Sequence, residues 1–401
     1  MKITDIEFYI TNPGNRNYTF LRVLTDEGIS GVGAPYNVGP DNGVIGALED
    51  MKEWFIGQDP TRIEWLMRRA KNTMRFVLGN ISYAALSGIE IALWDILGKA
   101  KGLPVHTLLG GNVRDKIRAY HGLGGDTPEE LKENALKLME EGYTAFKMSP
   151  FPAGVEGNKH FSPSDYRASK QYYVPVWQNL PWNDVIRLSS ERLAAVRDAV
   201  GNGPEIAIDI HAVFRDAVKA NQLVRELSQY RLLFYEEPVT PHNLTTTARL
   251  RGELNAPLAT GECLYSIQTF AQLMELGAVD IIQPDVLICG GILEMKKMSS
   301  IAEMHYVTVA PHNPIGLIST AASVHLAANI PNFKILEFHS DQKQLSAMYA
   351  KNVWVPKNGY FDLPKEPGLG MEIDFDRVKA TPPGTWHRGF PTDSQGAPAF
   401  M

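Results

Sequence analysis

Cysteine is scarce: the 401 residues contain two, Cys263 and Cys289. Two thiols so placed cannot build a disulfide framework and lack the spacing of a zinc knuckle, so a buried, reduced pair is expected. An excess of basic charge is also missing. The 39 Lys+Arg stand against 45 Asp+Glu, a net charge of −6, which leaves no global positive field for nucleic acid or an anionic lipid surface. No segment reaches the ~18 apolar residues that span a bilayer. The opening Met1-Lys2-Ile3-Thr4-Asp5-Ile6-Glu7 has no signal-peptide core. A soluble, cytoplasmic protein with no membrane partner is expected. No G-x-x-x-x-G-K-[ST] loop and no G-x-S-x-G elbow occur, which sets aside those two chemistries.

What is present is ordinary globular material, 44% hydrophobic and 21% charged. The length suits two or three domains at ~150 residues each, or an α/β barrel with an addition. Residues 2–12 and 18–34 carry β-rich runs separated by a Pro13-Gly14-Asn15 turn, and Asp26-Glu27-Gly28 offers a second turn. Helical spacing follows, strongest over 81–101, where Ala85, Ile89, Ala92, Leu93 and Ile96 recur; Gly102 and Pro104 end it. Residues 1–115 therefore read as a small α+β domain.

From residue 116 the rhythm changes. Short apolar runs suited to buried strands appear near 118–122, 144–148, 205–210, 232–237, 257–262, 280–285, 306–311 and 333–338, with helix-like stretches between most of them. Thr127-Pro128-Glu129-Glu130 opens one such helix and Gly142 closes it. The alternation predicts a (β/α)8-type barrel over 116–345. One gap is far longer than the rest. Its 150–187 stretch holds Phe151, Phe161, Tyr166, Tyr172, Tyr173, Trp177 and Trp182, and is expected to be an ordered loop over the barrel mouth or at a subunit contact. The proline-rich 346–401 tail is expected to pack as an irregular wrap.

Polar residues recur at the strand ends in steps of about 25 residues: Lys147, Asp209 with His211, Glu236-Glu237-Pro238, Gly261-Glu262, Gln283-Pro284-Asp285, Pro311-His312 and Glu337. One repeat per step sends all of them into one mouth, where barrel enzymes keep their active sites. Asp209, Glu236 and Glu262 would repel one another unless a hard divalent cation joined them, and an all-oxygen set favours Mg2+ over zinc. His312 follows Asp285 by one repeat, so the carboxylate can orient the imidazole and make it a better base. His211, two residues past Asp209, is expected on the same side of its strand. Lys147 either neutralises an anionic substrate or pairs with an acid. His121, His160, His242, His305, His325 and His339 show no comparable pattern and read as surface or core residues.

These residues carry a resemblance. Ala92-Leu93-Trp94-Asp95, Leu103-Pro104-Val105, Leu108-Leu109-Gly110-Gly111, Asp209-Ile210-His211, Glu236-Glu237-Pro238, Gly261-Glu262, Gln283-Pro284-Asp285, Pro311-His312 and Leu336-Glu337 together resemble the mandelate racemase/muconate lactonising branch of the enolase superfamily, over essentially the full chain. The resemblance implies an α/β fold, a modified (β/α)8 TIM barrel with an α+β capping domain formed by the N-terminal region and the C-terminal tail. It implies one Mg2+ on Asp209, Glu236 and Glu262, an Asp285–His312 dyad, and Glu337 as a partner of the substrate carboxylate. It also implies a homo-oligomer. Within the branch the sequence looks most like galactonate dehydratases and related acid-sugar dehydratases, which place a general acid at the position of His211. Racemases of the branch carry a second lysine where Ser149 stands here. The implied reaction is dehydration of an aldonate such as galactonate, gluconate or mannonate to a 2-keto-3-deoxy acid. A rival is an epimerase or cycloisomerase working through the same enediolate. A catalytically silent binding member of the fold is a third reading. Cys263, Ala212-Val213 and Asn313 depart from the family pattern in the substrate shell. Arg16 and Asn37, together with Asn15, Asn17, Tyr18 and Tyr36, are candidates to read the substrate hydroxyls.

Overall fold

The computed structural model describes residues 1–14, 16–37, 41–74, 76, 78–152, 176–352 and 354–384. The first elements are the strands β1 (Ile3–Thr11), β2 (Tyr18–Thr25) and β3 (Ser30–Gly33), an antiparallel meander. The helices α1 (Asp41–Phe55), α2 (Ile63–Thr73) and α3 (Asn80–Lys101) follow. The sheet lies on α3 at backbone contact. A Cβ on Gly31 would fall 2.0 Å from the Ala92 carbonyl oxygen, and one on Gly33 equally close to that of Gly88. The glycines thus set how closely strand and helix approach. By length and composition α3 is apolar enough to cross a membrane, contrary to the reading of the apolar runs. Yet 83% of that stretch is buried within the protein, as in a core helix.

The short α4 (Val105–Leu108) leads to β4 (Lys116–Gly122) and α5 (Pro128–Glu140). Thr127 caps α5 with a reciprocal Thr127–Glu130 pair that satisfies two backbone N–H groups. Then come β5 (Ala145–Met148), α6 (Trp182–Val200), β6 (Glu205–Asp209), α7 (Ala217–Leu227), β7 (Leu232–Glu236), α8 (Leu244–Glu253) and β8 (Leu258–Thr260). The series closes with α9 (Ile267–Glu275), β9 (Ile281–Ile282), α10 (Ile292–Met304), β10 (Thr308–Val309), α11 (Leu317–Asn329), β11 (Leu336–Phe338) and α12 (Ser340–Tyr349). Strands β4 to β11 are parallel neighbours in the order β10-β9-β8-β7-β6-β5-β4-β11. A bridge between Val309 and Phe333, with Val309 N–H donating to the Asn332 carbonyl at 2.9 Å, joins the two ends. All eight sequence-predicted strands are present, and the sheet curls into the modified barrel.

The barrel interior explains where the polar side chains go. Tyr120, Ala145, Ala207, Phe234, Ala259, Ile281, Ala310 and Ile335 form one buried apolar cluster along the axis. Alternation places the next inward residue two positions on. Those positions are Gly122, Lys147, Asp209, Glu236, Gly261, Gln283, His312 and Glu337. An apolar plug thus carries a polar ring directly above it.

The tail is more regular than expected. Residue 346 falls inside α12, and the strand β12 (Tyr360–Asp362) and helix α13 (Phe375–Ala380) follow. β12 pairs antiparallel with β4, while Phe375 of α13 packs edge-on to Tyr9 of β1. Of the long aromatic stretch, residues 153–175 lie outside the described residues, and with them His160, Phe161, Tyr166, Tyr172 and Tyr173. Its described flanks form a cluster: Phe151 stacks on Trp177 at 4.1 Å, and Trp182 meets Phe214 edge-on. The part of the tail from 385 onward, and Asn15, are likewise outside the described residues.

Candidate active site

Asp209, Glu236 and Glu262 converge, with one carboxylate oxygen from each lying within 4.8 Å of the others. Strand alternation supplies the first two, which are register partners on β6 and β7. It does not supply Glu262, which follows an inward position and would point outward. Gly261 makes the difference: its φ of 143° is open only to glycine, and it turns Glu262 back into the mouth. A Cβ there would also press on the Gln283 backbone at 3.0 Å.

Lys147 sits among these acids, fully enclosed. Its Nζ lies 2.8 Å from Glu236, 3.1 Å from Asp209 and 2.7 Å from Glu337. Lys147 is thus paired with three acids. Burial acts to lower its pKa, but Glu236 and Glu337 outweigh burial and hold it well above the ordinary value. Burial, with Asp209 adding repulsion, pushes Glu236 up to about 8. Asp209 resists burial through His211 and Lys147 and stays below its usual value. Glu236 Oε1 is buried without a hydrogen-bond partner. An orphaned carboxylate oxygen within an all-oxygen set of three is what a hard divalent cation satisfies, so the residues fit one.

His312 Nδ1 lies 2.8 Å from Asp285 Oδ2, and the other Asp285 oxygen accepts the Leu287 N–H at 2.7 Å. The dyad is therefore formed just past the ends of adjacent strands and held from behind. His312 Nε2 faces Glu262 at 3.3 Å. Burial acts downward on this imidazole, while Glu262 and Asp285 raise it to about 10. His211 also reaches the site, by a different route from the one expected. The strand ends at Asp209, and His211 stands in the left-handed region with φ 52°. Its N–H donates to Asp209 Oδ1, and its half-exposed ring lies 3.3 Å from Oδ2.

A cavity of about 340 Å³ opens over these groups, lined by His211, Glu262, His312, Cys263, Glu237 and His242 from the barrel and by Arg16, Asn17, Tyr36 and Asn37 from the N-terminal region. The cap is fastened here: Tyr36 N–H donates to the Leu287 carbonyl, and the Tyr36 ring lies 6.4 Å from that of His312. Asn37 has both amide atoms buried and unpartnered, whereas Asn17 is saturated by Asn12, Asp41 and Gly384. Asn17 is thus a clamp on the tail and has no valence left to read a substrate. Cys263 is exposed in this wall, against the expected burial; Cys289 is buried, and both are free.

Glu337 points to the same core but is closed in. Its oxygens take Lys147, the Asn313 N–H and His339 Nε2 at 2.9 Å. Burial acts upward, yet Lys147 and His339 hold it well below the usual carboxylate value. His339 is thus no bland surface residue. It fills the space of the missing side chain at Gly122, where a Cβ would fall 2.3 Å from its ring. Sequence spacing gave no signal for it: His339 lies just past the end of β11, at the start of α12. His242, read as bland, lines the cavity, and Glu237 was seen only as part of a motif. Glu237 is almost fully buried with a left-handed φ of 39°, and burial followed by Glu236 raises it to about 7.

A parallel barrel with carboxylates and a His–Asp pair at the C-terminal ends of its strands, covered by an α+β cap, defines an enolase-type enzyme. The chain belongs to the mandelate racemase/muconate lactonizing enzyme family. Residues 3–110 match the N-terminal domain of that family, and residues 130–378 match the enolase C-terminal domain-like family. It is similar to the D-galactonate dehydratase of Ralstonia pickettii (strain 12J), 35% identical over 95% of this chain and 96% of that one. The D-galactonate dehydratase of Pectobacterium atrosepticum is also 35% identical, over 94% of each chain. Among solved structures, a candidate galactarate dehydratase from Agrobacterium radiobacter, with bound sodium and L-malate, superposes with a TM-score of 0.88 at 33% identity, covering 100% of both chains.

Proposed function

We propose that this chain dehydrates a sugar acid, removing the proton α to the carboxylate and then expelling the 3-hydroxyl to leave a 2-keto-3-deoxy acid. The observation that carries this reading is the convergence of Asp209, Glu236 and Glu262 beside the Asp285–His312 pair in one cavity. The full-length likeness to two D-galactonate dehydratases supports the substrate class. An α-proton is only weakly acidic, so the enediolate needs strong stabilisation of its negative charge. Mg2+, held by the three carboxylates, would supply a concentrated positive charge at that site. The relative with sodium bound shows that a cation other than Mg2+ can occupy such a protein in a crystal.

The chain's own residues divide the remaining work. His312 Nε2 takes the C2 proton while Asp285 holds the opposite nitrogen. His211, half-exposed at the rim, delivers a proton to the departing hydroxyl. Lys147 supplies the positive charge that attracts the substrate carboxylate, Glu337 holds that lysine in place, and Arg16 and Asn37 face the remaining hydroxyls from the cap. Serine at 149, in place of a second lysine, weighs against two-sided proton exchange and so against an epimerase. Division into a 1–115 cap, a 116–345 barrel and a 346–401 tail is supported by the pairing of β12 with β4 and the packing of α13 on β1. The family resemblance supports a homo-oligomer.

Proton NMR in D2O, with semicarbazide trapping of keto acid across an acid-sugar library, tests the reading. His312→Asn abolishes both C2 exchange and dehydration. His211→Asn lowers dehydration by roughly 10²–10⁴ and retains exchange. Wild-type protein that returned deuterated epimers and no keto acid would make the enzyme an epimerase instead.

A further inference from the structure

The polar ring contains a member that the proposed chemistry does not use. Register pairs run Glu236–Ala259–Ile281 across β7, β8 and β9. Advancing two residues for the stagger of a tilted barrel reaches Gln283, since side chains from alternate strands share a level. Continuing round, the next members of that level are Glu337 and Lys147. Lys147 touches both Glu236 and Glu337 directly, as neighbours in one level do. Lys147, Glu236, Gln283 and Glu337 therefore form one four-membered layer, and the strand between Glu236 and Gln283 contributes only Gly261 to the space separating them.

Gln283 is fully buried, and neither its Nε2 nor its Oε1 has a hydrogen-bond partner. Glu236 Oε1, in the same layer, is also without one. A carboxamide brings two donors and an acceptor, and the carboxylate oxygen is an acceptor, so the unmet groups are complementary. They do not bond directly. A water enclosed between them would find three polar partners, the usual complement of a buried water.

We propose that Gln283 is a positioning residue for the cation site: through one enclosed water it holds Glu236 Oε1, while Lys147 holds Oε2. The Glu236 carboxylate plane is then set before the cation arrives. This rests on the reading of Asp209, Glu236 and Glu262 as the cation's ligands. Supports of this kind fix ligand orientation and are typically worth 10–100-fold in metal affinity.

The experiment compares wild type with Gln283→Met, which keeps the volume and removes the polar atoms. Calorimetric titration with MgCl2, without substrate, should show affinity weakened about tenfold. The Mg2+ concentration for half-maximal turnover should rise in parallel, with kcat at saturating Mg2+ near the wild-type value. The metal-free melting temperature should not fall. A residue that only filled space would lower the melting temperature and leave the Mg2+ titration unmoved, and that result overturns the proposal. A high-resolution crystal structure of the wild type decides the matter even if the variant fails to fold. Water bonded to both Gln283 and Glu236 Oε1 supports it, and a Gln283 amide bonded elsewhere ends it. Wild type that bound no Mg2+ would instead refute the functional reading, and the water would still be there to be seen or not.

Discussion

His325, on α11, commits both ring nitrogens to the neutral form. Its Nδ1 accepts the His106 N–H at 3.1 Å, and its Nε2 donates to the Leu369 carbonyl, also at 3.1 Å. Burial drives its pKa down to about 3. The unfolded histidine titrates near its ordinary value, ~6.5, so on acidification the unfolded chain takes the proton first. This group's stabilisation is complete above that value and is lost as pH falls toward the folded one, at up to about 1.4 kcal/mol per pH unit. Urea unfolding at pH 7 and pH 5 is expected to show a smaller loss for His325→Gln than for wild type. Equal losses would place the acid sensitivity elsewhere. At this scale the sequence was most legible where side-chain chemistry was distinctive, as for Asp209, Glu236 and His312. It was silent on His325 and His339, whose roles come from partners far away in the chain or across a glycine.

Between elements, one carboxylate joins the cap to the barrel. Glu90 of α3 lies among apolar neighbours and accepts the N–H groups of Ile292 at 2.7 Å and Leu293 at 2.9 Å, with Trp94 Nε1 at 2.7 Å. It therefore caps the N-terminus of α10 from another element, and α10 needs no side-chain cap of its own. Gly291 leaves the room, since a Cβ there would fall 2.0 Å from the Glu90 carboxylate. Burial raises Glu90 to about 7 against those donors. Glu90→Ala strands three buried donors and should cost about 3–5 kcal/mol, read as a shift in the chemical denaturation midpoint. A loss below about 1 kcal/mol would mean that water replaces the carboxylate. The helical spacing of α3 was plain in the sequence, and so was its Gly102 stop. Its Glu90 gave only the oddity of an acid on an apolar helix, because the α10 N-terminus that explains it lies some two hundred residues on.

At the scale of the molecule, cap and tail share single residues. Asp95 takes the Val32 N–H from β3 at 2.9 Å and the Leu369 N–H from the tail at 2.8 Å, and pairs with Lys99. Cation binding acts on the whole assembly by mass action. At one hundred times its dissociation constant, Mg2+ should add about 2.7 kcal/mol, raising the melting temperature by several degrees, with EDTA reversing the gain. An Asp209→Asn/Glu262→Gln double variant should show no Mg2+-dependent shift. If it shifted like wild type, the cation would be binding elsewhere.

The strand count, the α3 helix, the α5 cap and the carboxylates at the strand ends were all determined by the sequence itself. Alternating apolar runs, helical spacing and a regular repeat are local patterns, and local patterns need no knowledge of the third dimension. Tertiary structure alone decided how Glu262 turns inward at Gly261, how His211 arrives by a left-handed turn, and how His339 fills the place left by Gly122. It also decided that Lys147 is shared among three acids and that Asn17 is spent on the tail. Each of these depends on contacts between residues distant in the chain, whose energies appear only when closure of the barrel brings them within a few ångströms.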